Sequence, residues 1–172
     1  MYLYEDLITI PCYCWTRSII VPHDHPLAKL EESVTIHQLG SYPLITYVFG
    51  FNGQSKLDKV FTEYKIKPNI SLTATDTDII KYYVKRGMGV GVIASTAFSE
   101  EDKSGLCCIN IDHIVKPSYT HICLNKNKRL TNCMYEFISL YAPHVNKNMI
   151  QLAEKNKKNK INEQVYQSLP LL

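Results

Sequence analysis

The stretch ISLTATDTDIIKYYVKRGMGVGVIA, residues 70–94, decides the fold. Its first five residues alternate toward a strand. Thr75-Asp76-Thr77-Asp78 then supplies a cluster of helix N-cap residues. Behind it Ile79, Ile80, Tyr83 and Val84 keep the spacing of one helical face. Gly87 is placed to end that helix. Residues 90–94 form a short apolar strand among glycines, of the kind buried on both faces of a parallel sheet. Upstream, residues 43–47 read as another buried strand, and Gly50-Phe51-Asn52-Gly53 marks a turn. Leu57, Val60, Phe61 and Tyr64 follow at i, i+3, i+4 and i+7, which predicts a second amphipathic helix.

The same reading extends outward. Residues 7–10 and 18–21 are short strands ended by Pro11 and Pro22, and residues 35–39 form a short helix. Residues 106–111 and 119–124 are further strands. Leu130, Cys133, Met134, Phe137, Ile138 and Tyr141 give the strongest helical spacing in the chain. Residues 146–160 hold five lysines and one glutamate with weak apolar spacing. They read as a solvated helix or a frayed end, with a basic nucleic-acid tail as the alternative. Alternating strands and helices argue for an α/β fold with a largely parallel sheet.

Composition excludes several classes. Hydrophobic residues are 45% of the 172 and charged residues 20%, which excludes a disordered or collagen-like chain. No apolar run reaches the ~18 residues that span a bilayer. The opening MYLYEDLITI has no basic n-region and is not a secretory signal. A net charge of +3 is too small to indicate nucleic-acid binding by charge alone. These features point to a cytoplasmic protein with no membrane partner. Reduced thiols are then the default for Cys12, Cys14, Cys107, Cys108, Cys123 and Cys133. No C-x-x-C pair is present. Cys12 and Cys14 would share a strand face, Cys107 and Cys108 would oppose, and the six are expected as buried structural thiols.

Two turns share one design, in which a strand runs through small residues into a helix. Such helix N-termini at the carboxyl ends of strands favour anions. Asn52 and Gly53 make the first turn the better candidate. In the second, Asp76 and Asp78 would repel an anion, so capping is their expected role. Trp15, the only tryptophan, stands beside Arg17 and is either core or a cleft wall. His23-x-His25 could suggest a metal pair, but a polar turn with no third ligand nearby is the stronger reading. Gly87-x-Gly89-x-Gly91 follows a helix and opens a strand, the reverse of a dinucleotide site. No nucleophile–base pair is legible, so no enzyme, no cofactor and no metal are expected.

Several phrases resemble one family. Asp24-His25-Pro26-Leu27-Ala28, Tyr42-Pro43-Leu44-Ile45-Thr46-Tyr47 and Gly87-Met88-Gly89-Val90-Gly91-Val92-Ile93-Ala94 are similar to the effector-binding region of LysR-type transcriptional regulators. Pro11-Cys12-Tyr13-Cys14-Trp15-Thr16-Arg17-Ser18, Phe49-Gly50-Phe51-Asn52-Gly53, Thr73-Ala74-Thr75-Asp76-Thr77-Asp78 and Tyr141-Ala142-Pro143-His144 resemble its CysB and Cbl subfamily. The similarity runs to about residue 146.

The resemblance implies a periplasmic-binding-protein-like (type 2) domain with an effector cleft between two α/β lobes. It implies regulation of sulfate assimilation and cysteine biosynthesis, with acetylserine, sulfate or thiosulfate as the effector class. Trp15 would line the cleft, together with Phe51, Asn52 and Gly53. Asn52 stands where the family usually has threonine, offering a bulkier amide instead of a hydroxyl. Residues 1–15 would be a crossover strand and first-lobe remnant, and residues 16–116 the second lobe. Residues 117–172 would be the return segment, a first-lobe helix and the basic tail. No helix-turn-helix is read in the chain, which implies a truncated regulator that cannot bind DNA by itself. Its protein partner would be a second copy or a full-length regulator. The helix at residues 130–141 would lack strands to pack on, leaving that part loose while the second lobe folds. A stand-alone anion-binding module acting through protein contacts is the alternative.

Overall fold

The computed structural model describes residues 6–48, 55–155 and 168–172. Two compact units divide them, with the boundaries between Trp15 and Thr16 and between Pro117 and Ser118.

The unit between those boundaries is built on five strands: β2 (Arg17–Val21), β3 (Pro43–Tyr47), β4 (Asn69–Ala74), β5 (Val90–Ala94) and β6 (Cys107–Asn110). Their order across the sheet is β4-β3-β5-β2-β6. Three helices accompany them: α1 (Ile36–Gly40), α2 (Lys56–Glu63) and α3 (Thr77–Val84). Strands β4, β3 and β5 are parallel, but β2 runs antiparallel to both β5 and β6. The sheet is therefore mixed, which corrects the expectation of a largely parallel one. The apolar run at residues 18–21 signals burial on both faces, and a central antiparallel strand satisfies that pattern as well as a parallel one.

Side chains alternate between the two faces with period two, so β2, β3 and β5 each feed two cores. Ile19, Val21, Leu44, Val90 and Val92 pack with Leu39, Leu57 and Phe61 from α1 and α2. Ile20, Ile45 and Ile93 pack with Ile80 and Val84 from α3. Gly91 belongs to the α3 side. A Cβ there would stand 2.6 Å from Ile20 Cγ1 and 2.8 Å from Val84 Cγ2, so the missing side chain lets helix and sheet approach. Gly87 closes α3 in the left-handed region at φ 72°. Its N–H donates to Val84 O at 2.9 Å.

An ion pair fastens α3 to the turn after β5. Lys81 Nζ lies 2.6 Å from Asp102 Oδ2, with both side chains nearly buried. Asp102 Oδ2 also accepts from the Ser99 N–H and hydroxyl at 2.9 and 3.0 Å. Burial pushes the Asp102 carboxyl up, but the bonds from Lys81 and Ser99 outweigh it and hold the group below its ordinary value.

The other unit pairs β1 (Leu7–Trp15) with β7 (Ser118–Asn125) antiparallel and adds α4 (Asn132–Tyr141) and α5 (Lys147–Lys155). Strand β1 does not stop at Pro11 as expected. It passes through with a register shift between Pro11 and Tyr13, and a bulge tolerates proline's missing donor. His144 Nε2 donates to Cys12 O at 2.6 Å, and Tyr13 Oη donates to Tyr141 O at 2.6 Å. Helix α4 keeps a seat on the strand pair. Ile138 is buried with Ile8, Ile10, Cys12 and Leu124, in a core completed by Ala142, Val145 and Ile150. Its outer side presents Phe137 and Leu140, exposed at 65% and 83%. Of the two readings of the lysine-bearing segment, the described part has the helix. Asn146 Oδ1 accepts from Met149 N at 2.9 Å and Ile150 is 1% exposed, so α5 is anchored rather than frayed. Residues 156–160 of that segment lie outside the described residues. The last residues bond to β1, with Cys14 N donating to Pro170 O at 3.0 Å and Leu172 N donating to Cys14 O at 2.9 Å.

All six cysteines are free thiols. Only Cys12 is fully buried, whereas Cys108, Cys123 and Cys133 are exposed, which corrects the expectation of six buried thiols. Cys108 lies on an edge strand and Cys133 in the first turn of α4, and an apolar residue type does not report such positions.

Two outcomes follow from this packing. Gly91→Ala should lower unfolding free energy by about 1–3 kcal/mol through overpacking, as read by urea denaturation. An unchanged midpoint would mean that α3 is not seated closely. Asp102→Asn should cost about 3 kcal/mol at neutral pH by leaving nearly buried Lys81 only its longer 3.8 Å pair with exposed Asp78. A depressed carboxyl stabilises above its unfolded pKa of about 3.9, and that contribution fades as pH falls through the folded value. The gap between variant and wild type should therefore close in acid, and a pH-independent gap would contradict it.

Candidate functional site

The parallel strands end together. In register, Tyr47 at the end of β3 stands beside Ala74 at the end of β4. Because β2 runs the other way, it starts at that edge, and Arg17 pairs with Ala94 at the end of β5. The N-termini of α2 and α3 open from the same edge, since each follows one of these strands. Carboxyl edges of open α/β sheets are where such folds bind ligands.

Hydroxyls are concentrated there. Thr16 Oγ1 donates to Ser95 Oγ at 2.8 Å, and Ser18 Oγ lies 2.8 Å from the same oxygen. Thr16 and Ser18 are two apart on an extended chain, so both reach Ser95 on one face. Ser95 N donates to Thr16 O at 3.0 Å, fixing the turn after β5. Tyr47 Oη lies 2.5 Å from Thr77 Oγ1, joining the end of β3 to the first residue of α3.

Two cations stand at the same edge, Arg17 at the start of β2 and Lys56 at the start of α2. Burial pushes the Arg17 guanidinium down from its ordinary value, and Tyr47 partly offsets this. Burial also pushes the Lys56 ammonium down, and the positive charges of Arg17 and Lys116 push it further. Lys56 Nζ donates to the Pro117 carbonyl and, at 3.5 Å, to that of Lys116. Lys56 is the first residue of α2, after the Ser55 cap. A cation at a helix N-terminus is opposed by the helix dipole. Its placement near Arg17 makes this edge the candidate place for an anion.

The residues anticipated from sequence fall unevenly. Trp15 is the half-buried last residue of β1, paired in register with Ser118 and joined by one peptide bond to Thr16. Phe51, Asn52 and Gly53 lie outside the described residues, in the connection between β3 and α2. Asp76 caps α3, its Oδ1 accepting from Ile79 N at 3.0 Å. His25 Nδ1 accepts from Leu27 N at 3.2 Å, a turn role. Among the described residues no cluster of three or more His, Cys, Asp or Glu could hold a metal ion. Sequence reading did not assign Arg17, Tyr47, Lys56, Thr77 and Ser95 to the site. One signal was available, because a lysine directly after the serine cap of an amphipathic helix runs against the dipole.

Comparison with known proteins agrees with this fold. The LysR substrate binding domain model matches residues 3–145. The HTH-type transcriptional regulator CysB of Haemophilus influenzae is 44% identical over 170 residues, covering 99% of this chain and 52% of the regulator. The HTH-type transcriptional regulator SsuR of Burkholderia cenocepacia is 39% identical over 143 residues, covering 83% of this chain and 46% of that one. The chain spans about half the length of these curated relatives. The crystal structure of the cofactor-binding domain of the Cbl transcriptional regulator matches at a TM-score of 0.80 and 28% identity, over 90% of this chain and 67% of that one. These relatives are transcriptional regulators, not enzymes. The mixed α/β architecture is that of LysR-type effector domains, the periplasmic-binding-protein-like type 2 fold. In sequence and in fold, the chain belongs to the LysR substrate-binding domain family, among relatives of the CysB and Cbl type.

Proposed function

We propose that the chain is the effector-sensing part of a cytoplasmic regulator of sulfate assimilation and cysteine biosynthesis. The observation that carries this reading is the placement of two cations, Arg17 and Lys56, at the carboxyl edge of β3, β4 and β5. Acetylserine offers a carboxylate, and sulfate and thiosulfate are oxyanions. All three present anionic oxygens that two cations and a set of hydroxyls would hold. Residues 16–116 then form the anion-binding lobe. Residues 1–15 and 117–172 belong to the other lobe, and Trp15, Phe51, Asn52 and Gly53 add to the effector contacts. DNA contact belongs to the part of the relatives that this chain does not match, and a second copy or a full-length regulator is the protein partner.

Thermal unfolding of the intact chain tests this with acetylserine, sulfate and thiosulfate in turn. Ligand at about 100 times its Kd adds ~2.7 kcal/mol. That corresponds to a midpoint shift of roughly 5–10 °C for a chain of this size. Lys56→Met should remove most of the shift. The bound anion favours charged Lys56, so affinity should be full below the lowered lysine value and fall as pH rises through it. No shift with any of the three, or an equal shift in Lys56→Met, would overturn the reading.

A further inference from the structure

One cluster of reactive groups stands apart from the cationic edge. Cys107, the first residue of β6, places its Sγ 2.9 Å from His23 Nδ1. The other ring nitrogen is held as well, because His23 Nε2 donates to Lys103 O at 2.9 Å. That bond keeps a proton on Nε2 and leaves Nδ1 as the basic nitrogen facing the thiol. A nucleophile, a base and a third group that orients the base form the arrangement that activates cysteines. Access is open, since β6 is an edge strand, Cys107 is half-buried and His23 is exposed.

We propose that Cys107 is a modification site that takes low-molecular-weight disulfides, with His23 as its base. His23 Nδ1 accepts the thiol proton. The Cys107 thiolate attacks one sulfur of R–S–S–R, forming a bond from Cys107 Sγ to that sulfur as the old S–S bond breaks. The departing thiolate takes the proton from His23. The balance is one protein thiol and one disulfide in, one mixed disulfide and one small thiol out, with no outside oxidant. The neighbouring thiol does not resolve the adduct. Cys107 pairs with Val21 and Cys108 with Ile20, so the two side chains project from opposite faces of the strand. The adduct therefore persists until an external thiol removes it. This site is independent of the anion reading, since none of its groups belongs to the cationic edge.

The experiment is incubation of the intact chain with oxidised glutathione, followed by peptide mass mapping of all six cysteines against time. Cys107 should form its mixed disulfide about tenfold faster than the more exposed Cys123 and Cys133. His23→Ala separates an activating role from a merely structural one. If His23 activates the thiol, the Cys107 rate falls to that of the exposed cysteines. If His23 only covers the thiol, its removal uncovers Cys107 and the rate rises. Equal rates at Cys107, Cys123 and Cys133 in the wild type would overturn the proposal. So would an unchanged or increased Cys107 rate in His23→Ala. The wild-type ranking needs no variant and stands as a test even where His23→Ala folds poorly.

Discussion

The antiparallel seat of β2 between β5 and β6 is the constraint on which the site depends. A parallel strand in that position would begin at the opposite edge and carry Thr16, Arg17 and Ser18 away from the carboxyl ends of β3 and β5. Running antiparallel, β2 delivers a hydroxyl, a guanidinium and a second hydroxyl to the edge where α2 and α3 also begin. The hydrophobic pattern holds it there. Ile19 and Val21 fill one core and Ile20 the other, so a one-residue slip would exchange the faces of every side chain on the strand.

That placement has an electrostatic cost. Arg17 and Lys56 are both partly desolvated, and Lys56 stands at the unfavourable end of the α2 dipole. Removing water from cations is costly unless opposite charge is supplied. Backbone carbonyls at Lys116 and Pro117 supply part of it. The proposed anionic effector would add opposite charge beside both cations. Thr16, Ser18 and Ser95 are already hydrogen-bonded to one another, which keeps their positions set before any ligand arrives.

Much of the fold was legible in the sequence because periodicity and capping report local structure. Residues 70–94 contain a strand, a capped helix, a left-handed glycine and a buried strand, and the structure has each of them. Pairing direction was not legible, because burial on both faces does not distinguish parallel from antiparallel neighbours. Strand β1 was cut short in the reading because a proline normally ends a strand, and a bulge is a tertiary accommodation that no local rule contains. Helix α5 was left between two readings because its apolar spacing is weak and one residue, Ile150, anchors it. Of the sequence candidates, Phe51, Asn52 and Gly53 lie outside the described residues and Trp15 ends β1. Arg17, Lys56 and the hydroxyl set were not legible, since they come together only when β2, β3, β5 and α2 are assembled. The pair His23 and Cys107, separated by 84 positions in the chain, was invisible for the same reason.

Amide chemical-shift mapping of the intact chain during a thiosulfate titration tests the central claim most directly. The account predicts saturable shifts clustered at Thr16, Arg17, Tyr47, Lys56, Thr77 and Ser95, the residues of one sheet edge. Saturable shifts confined to other surfaces, such as the outer side of α4 around Phe137 and Leu140, would contradict it. So would a spectrum unchanged by the anion.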